Sequence, residues 1–251
     1  MPSISSKIKP ASGFSHFLHI ILTALLPISM YILVRLGGDF IALAAVLVLM
    51  SKWRMFAVKP RHWPANIRAN AVDIIVGLSL LIFMTHSTSQ LLQLVWAFTY
   101  GVWLVALKPR SDMLSVSIQA VVALFVGLTA IFLNWGGAST LALVILAWLV
   151  CYSAARQFFT SFDEPLSRYL SDSWAYFGAA LTWVLSHWLL FYGSIAQVTL
   201  ILTVIGFSLA SIYYLDHEDR LSVLLRRQLV FVMVAVIVIV LAFSNWGDKA
   251  V

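Results

Sequence analysis

The sequence predicts an all-α, polytopic integral membrane bundle of about nine transmembrane helices, with its N-terminus in the cytoplasm. Three observations predict it. Apolar runs of near-spanning length recur along the chain, short polar breaks separate them, and Lys and Arg gather in every second break. Hydrophobic residues make up 62% of the 251 and charged residues only 10%. Soluble domains carry about 25% charged residues, so lipid must solvate most of this surface. A spanning helix needs ~20 apolar residues to cross a ~30 Å hydrocarbon core, and nine would use roughly 180 residues by the same measure. Only short connectors are left, and the chain reads as a single transmembrane domain over 1–251.

The apolar pattern places helices at 17–36, 39–57, 70–86, 90–107, 113–133, 138–159, 174–192, 194–215 and 226–244. The first is read as a retained helix. Its apolar run is long for a signal peptide and no A-x-A cleavage site follows. Pro27 removes a backbone donor from its middle and predicts a kink. The second rests on the short run from Phe40 to Met50, and Asp73 interrupts the start of the third. Residues 17–57 therefore read either as two full spans or as a re-entrant hairpin. Gly178, Ala179 and Ala180 in the seventh helix, and Ser208 and Ser211 in the eighth, are small enough for close helix approach. Val230 to Phe243 has no polar side chain, so the ninth helix should face lipid or a partner helix.

The breaks fall into two sets. Gly37-Gly38, 85–90, 134–139 and 192–194 are tight and free of Lys and Arg. The other set holds Lys7 and Lys9, the segment from Lys52 to Arg68, Lys108 and Arg110, Arg156 and Arg168, and Arg220, Arg226 and Arg227. Fourteen of the sixteen cations lie there, Arg35 and Lys249 being the exceptions. Cytoplasmic loops carry the excess of Lys and Arg, which puts the N-terminus inside and, after nine crossings, the C-terminus outside. The expected location is a prokaryotic cytoplasmic membrane. Two helix ends match, 132–136 and 243–247, each carrying Asn-Trp-Gly. Asn and Gly tolerate the left-handed angles of a helix C-cap and Trp favours the headgroup level, so capping explains the match without duplication.

Candidate chemistry is sparse. No Asp or Glu falls near the middle of a predicted span, and H-E-x-x-H, G-x-S-x-G and P-loop patterns are missing. No catalytic, cofactor or metal site is expected. His16 and His19 are near neighbours, but they sit at the membrane entry, where an interfacial role is the simpler reading. The single cysteine, Cys151, rules out an intrachain disulfide.

Three features could bind a ligand. Tyr176, Trp183 and His187 recur at spacings of seven and four, which aligns them on one helix face. They could wall an aromatic pocket, although a buried histidine bonded to a neighbouring helix is the commoner outcome. Tyr152 and Arg156 follow Trp148 at i+4 steps, and the guanidinium could grip an anion. It could instead snorkel to the headgroups or pair with Asp163 or Glu164. Lys52, Arg54, Lys59, Arg61 and Arg68 are interleaved with Trp53, Phe56 and Trp63, a mixture suited to anionic lipid.

These readings leave three function classes. A transport or translocation component for a small or lipid-like molecule fits the polytopic bundle. A noncatalytic membrane subunit or assembly factor fits the missing buried carboxylates and the featureless ninth helix. An intramembrane lipid-acting enzyme would need polar groups clustered at one depth. The expected partners are membrane lipids and either a membrane protein or a second copy of the chain, not nucleic acid.

Overall fold

The computed structural model describes residues 14–188 and 191–244, with the side chains of 14–22 and Arg54 outside that description. Lys7, Lys9, Lys249 and the helix end at 245–247 lie outside the described residues, as do the side chains of His16, His19 and Arg54. Among the described residues nine α-helices form the bundle. They are α1 (Phe14–Leu36), α2 (Phe40–Met50), α3 (Trp63–His86), α4 (Gln90–Val102), α5 (Met113–Trp135), α6 (Thr140–Ser161), α7 (Ser167–Leu185), α8 (Gln197–His217) and α9 (Val223–Phe243). Six segments are long and apolar enough to cross a membrane: 60–86, 90–107, 113–135, 140–161, 197–217 and 223–243. The protein is an integral membrane protein of the all-α class.

Three predicted boundaries move, each for a local reason. The second helix stops at Met50 rather than 57, and the chain turns through short 3₁₀ segments, Trp53–Met55 and Pro60–His62. Eleven residues rise only ~16 Å, about half the ~30 Å core. α3 begins at Trp63, seven residues before the predicted start at 70. Pro64 occupies its first turn, where a missing N–H costs nothing, while Asn66, Arg68 and Asn70 dilute the apolar signal there. Asp73 therefore lies well inside a helix, which overturns the expectation that it marks an end. α7 runs from Ser167 to Leu185 rather than 174–192. The chain after it forms a two-stranded antiparallel hairpin, β1 (Phe191–Tyr192) with β2 (Ile195–Ala196), turning at Gly193 with φ +63°.

The connectors bearing Lys52, Arg68, Lys108 and Arg110 come together with the end of α6 that carries Arg156, which makes one end of the bundle basic. At the opposite end two tight turns meet where His86 Nε2 lies 3.1 Å from Asn134 Oδ1, and Gln93 braces the first of them by donating to the Ser87 carbonyl at 3.0 Å. Asp112 and Ser139 cap α5 and α6 by accepting the N–H of Ser115 and Ala142. Gly136 closes α5 with φ −55°, so the left-handed cap expected at Asn134-Trp135-Gly136 is not used.

The interior divides into two main apolar clusters. Met30, Val48, Leu80, Met84 and Tyr100 join α1 to α4, while Leu128, Leu143, Cys151, Ala175 and Leu202 join α5 to α8. Small residues set the spacing where helices come closest, as expected at Gly178. A Cβ there would meet Cys151 Sγ at 2.6 Å, so α6 and α7 touch backbone to side chain. α9 packs chiefly on α8, and Val240 is its one buried residue within the helix.

Candidate functional site

The position of Asp73 inside α3 creates the most concentrated electrostatics in the described structure. Lys52 Nζ, just beyond α2, lies 2.9 Å from Asp73 Oδ2. Lys108 Nζ, just beyond α4, lies 2.9 Å from the same oxygen. Trp103 Nε1 donates to the other carboxylate oxygen at 3.2 Å. The last stretch of α4 makes this convergence possible. Trp103–Leu107 is a π-helical turn in which Lys108 N–H donates to the Trp103 carbonyl at 2.8 Å. Such turns are wider than an α-turn and often accompany functional sites.

Two ammonium groups on one carboxylate leave the cluster with a net charge of +1. Lys52 and Asp73 are nearly sealed, with side chains only 6% and 13% exposed, whereas that of Lys108 is 37% exposed. A buried charge is tolerated only when paired, so Lys52 belongs to Asp73. Burial pushes the pKa of the Lys52 ammonium below the usual lysine range, against the pull of the carboxylate. Lys108 is shared between the cluster and the surface.

On its exposed side Lys108 lines a recess of about 570 Å³ at the basic end. Arg68 from α3, Arg110 from the α4–α5 connector and Arg156 from α6 line it too, and no carboxylate does. The scaffold around it is fixed by Gln119, which is buried at the start of α5. Its amide nitrogen donates to the Leu107 and Arg110 carbonyls at 2.7 and 3.1 Å. Its amide oxygen accepts from Gln157 Nε2 of α6 at 3.0 Å. One side chain thereby ties the connector bearing Lys108 and Arg110 to the helix bearing Arg156.

The recess arginines bond only neutral groups. Arg156 Nη1 donates to Ser167 Oγ at 2.7 Å, and Arg68 Nε to the Pro64 carbonyl at 3.0 Å. Among the described residues neither they nor Arg110 form a salt bridge. Arg156 therefore does not pair with Asp163 or Glu164; Glu164 instead accepts the Tyr213 hydroxyl. Four cations converge with a single carboxylate behind them. Guanidinium groups bind phosphate and carboxylate in a planar fork, so the chemistry available here is anion recognition. Among the described residues no group of three His, Cys, Asp or Glu is placed to hold a metal.

The other predicted residues are placed differently. Tyr176 and Trp183 lie in α7 and are 74% and 50% exposed, while His187 falls just beyond the helix end at Leu185. His187 is exposed in the turn just after α7, and its Nδ1 lies 2.8 Å from the Trp183 carbonyl at the end of that helix. Trp183 and His187 meet edge to face at 5.9 Å. Tyr152 stacks flat on Trp148 at 5.2 Å. Of the cations expected to contact anionic lipid, Lys52 is turned inward onto Asp73, Arg68 lines the recess, and Lys59 and Arg61 are exposed. Sequence reasoning missed Asp73, Lys108 and Arg110 as site residues. The signal that could have found them is a carboxylate inside the third predicted span, preceded by the basic break 52–68 and followed one hairpin later by the basic break at Lys108 and Arg110.

No protein-family model, curated protein or solved structure matches this chain.

Proposed function

We propose that the protein is a transport or translocation component of a prokaryotic cytoplasmic membrane that takes up an anionic small or lipid-like molecule at its basic, cytoplasmic face. One observation carries the reading: Arg68, Lys108, Arg110 and Arg156 converge on a recess without a lining carboxylate. Its volume of about 570 Å³ falls within the ~300–1,000 Å³ of small-molecule clefts. The excess of Lys and Arg at this end supports a cytoplasmic orientation. An anion entering the recess relieves the mutual repulsion of four cations and competes with Asp73 for Lys108. When Lys108 turns to the ligand, Lys52 and Asp73 remain as a neutral one-to-one pair, so no buried charge is left without a partner. Loading is thereby linked to the contact between α3 and the end of α4.

The testing experiment uses the full chain in proteoliposomes, with fluorescent phosphatidylglycerol as the lipid-like probe and inorganic phosphate as the small one. Movement of either probe across the bilayer, lost on replacing Arg68, Arg110 and Arg156 by Gln, supports the reading. A protein that binds an anion but moves neither probe is a receptor or subunit instead. The noncatalytic-subunit reading has its own support, because α9 leaves nearly all of its surface uncovered.

A further inference from the structure

A second cavity, independent of the basic recess, lies between α5, α6, α7 and α8, with a volume of about 600 Å³. α5 and α6 contribute to both cavities by different faces. Gln119 and Arg156 line the recess, whereas the adjacent Ala120 and Ala155 line this crevice. Beyond Ser173, Tyr213 and Asp216, the crevice is walled by apolar side chains and Gly206.

Its shape follows from how α7 and α8 are packed. They are consecutive and joined by the β1–β2 hairpin, yet they touch little. α7 lies along α6, while α8 lies along α5 and α9. The crevice runs along 170–177 of α7 and 205–216 of α8, the halves of the two helices nearer the basic end. Phe177 of α7 and Leu209 of α8 are lining residues that are also 42% and 49% exposed, so they form its lips toward the surrounding membrane. Along α8 the lining runs from Ile205 to Asp216, eleven residue steps or ~16 Å of helix. That length is close to half of a ~30 Å hydrocarbon core, the depth of one leaflet. An apolar cavity of this size left empty would forgo dispersion contacts along its walls, and it offers water few polar partners. Hydrocarbon is the medium at its lips.

We propose that this crevice binds one aliphatic chain of a lipid from the leaflet at the basic end, entering sideways between α7 and α8, with a head group that carries no net negative charge. The head-group assignment comes from the mouth. Asp216 lines it, and Glu164, which accepts the Tyr213 hydroxyl, stands beside it. Two carboxylates there repel an anionic head and suit a choline or ethanolamine cation. The chain lies against Trp174 and Phe158, and at Gly206 the backbone of α8 packs closely on the crevice wall. A Cβ at Gly206 would come within 2.9 Å of Leu124 Cδ2 and 3.2 Å of Trp174 Cζ2.

Photolabelling with phosphatidylcholine carrying a diazirine in one acyl chain, on the full chain in nanodiscs, tests this. Labels should appear on the peptides of Phe177 and Leu209, and excess unlabelled phosphatidylcholine should suppress them. Phosphatidylglycerol should suppress them much less. Labels on Phe231 of α9, which is 72% exposed, should show no saturation and serve as the bulk-lipid control. Ala210→Trp, which fills the crevice from α8, should remove most of the saturable label and leave that at Phe231 unchanged. Crevice labels that do not saturate, or that survive Ala210→Trp in a folded protein, overturn the proposal. Equal competition by phosphatidylglycerol overturns the head-group assignment. The competition arm needs no variant, so a misfolded Ala210→Trp leaves a decisive measurement. Because the probe is zwitterionic and the recess is untouched, failure here is separate from failure of the anion-binding reading.

Discussion

Lys108 Nζ stands 2.9 Å from Asp73 Oδ2, and this contact joins the end of α4 to the interior of α3. Lys52 occupies the same oxygen from the end of α2, so one carboxylate gathers three chain segments. The arrangement explains why a mid-helix acid is tolerated, and it sets Lys108 at the edge of the basic recess.

Removing that carboxylate should be costly. Asp73→Leu leaves two ammonium groups facing each other without a counterion, and breaking a buried pair costs about 3–5 kcal/mol. Adding Lys52→Met should recover most of the loss, because the half-exposed Lys108 can turn toward the recess. Thermal unfolding in detergent reads both variants. A silent Asp73→Leu shows that the cluster contributes nothing.

Close approach of α6 and α7 gives a second expectation. Gly178→Ala drives a methyl group to 2.6 Å from Cys151 Sγ, and overpacking of this sort costs about 1–3 kcal/mol. Cys151→Ala in the same chain should restore part of the stability. Gly137→Ala meets no neighbouring atom within 4 Å and should be neutral. If Gly178→Ala matches Gly137→Ala in unfolding midpoint, the helices are not held at this spacing.

His187→Ala should change neither stability nor ligand response. The imidazole is exposed in the turn after α7 and contacts the Trp183 carbonyl four residues earlier, and surface changes of this kind stay within about 0.5 kcal/mol. Loss of ligand response in a folded His187→Ala protein restores α7 as a site.

The orientation proposed from the basic connectors requires an external C-terminus. A C-terminal alkaline phosphatase fusion should be active and a C-terminal fluorescent protein fusion dark in a bacterial host. The reverse pair of results places the basic recess on the outer face.

Helix class and approximate number were legible because lipid solvation demands long apolar runs, and those runs are visible in sequence without any partner. Tight turns such as Gly37-Gly38 were equally visible, since both residues take positive φ (+71° and +55°). The start of α3 was hidden because its first two turns are polar, and mispositioning it pushed Asp73 to an apparent helix end. The recess was illegible for a different reason. Arg68, Lys108, Arg110 and Arg156 come from three separate regions of the chain, and only packing through Gln119 and Gln157 brings them together. The spacing of Tyr176, Trp183 and His187 assumed that α7 runs on to 192, and spacing alone does not say which way a face points. In a membrane bundle an aromatic face toward lipid and one toward the interior have the same pattern.

The central claim is that the basic recess recognises an anion, and the direct measurement is equilibrium binding to the full chain in detergent. Phosphatidylglycerol and inorganic phosphate are the two probes. The comparison sets the natural sequence against Arg68→Gln/Arg110→Gln/Arg156→Gln and against Lys59→Gln/Arg61→Gln, which removes exposed cations outside the recess. The account predicts saturable binding of at least one probe, weakened by salt as exposed charge interactions are, abolished by the recess variant and retained by the control. Equal binding by all three proteins, or no saturable binding of either probe, would contradict it.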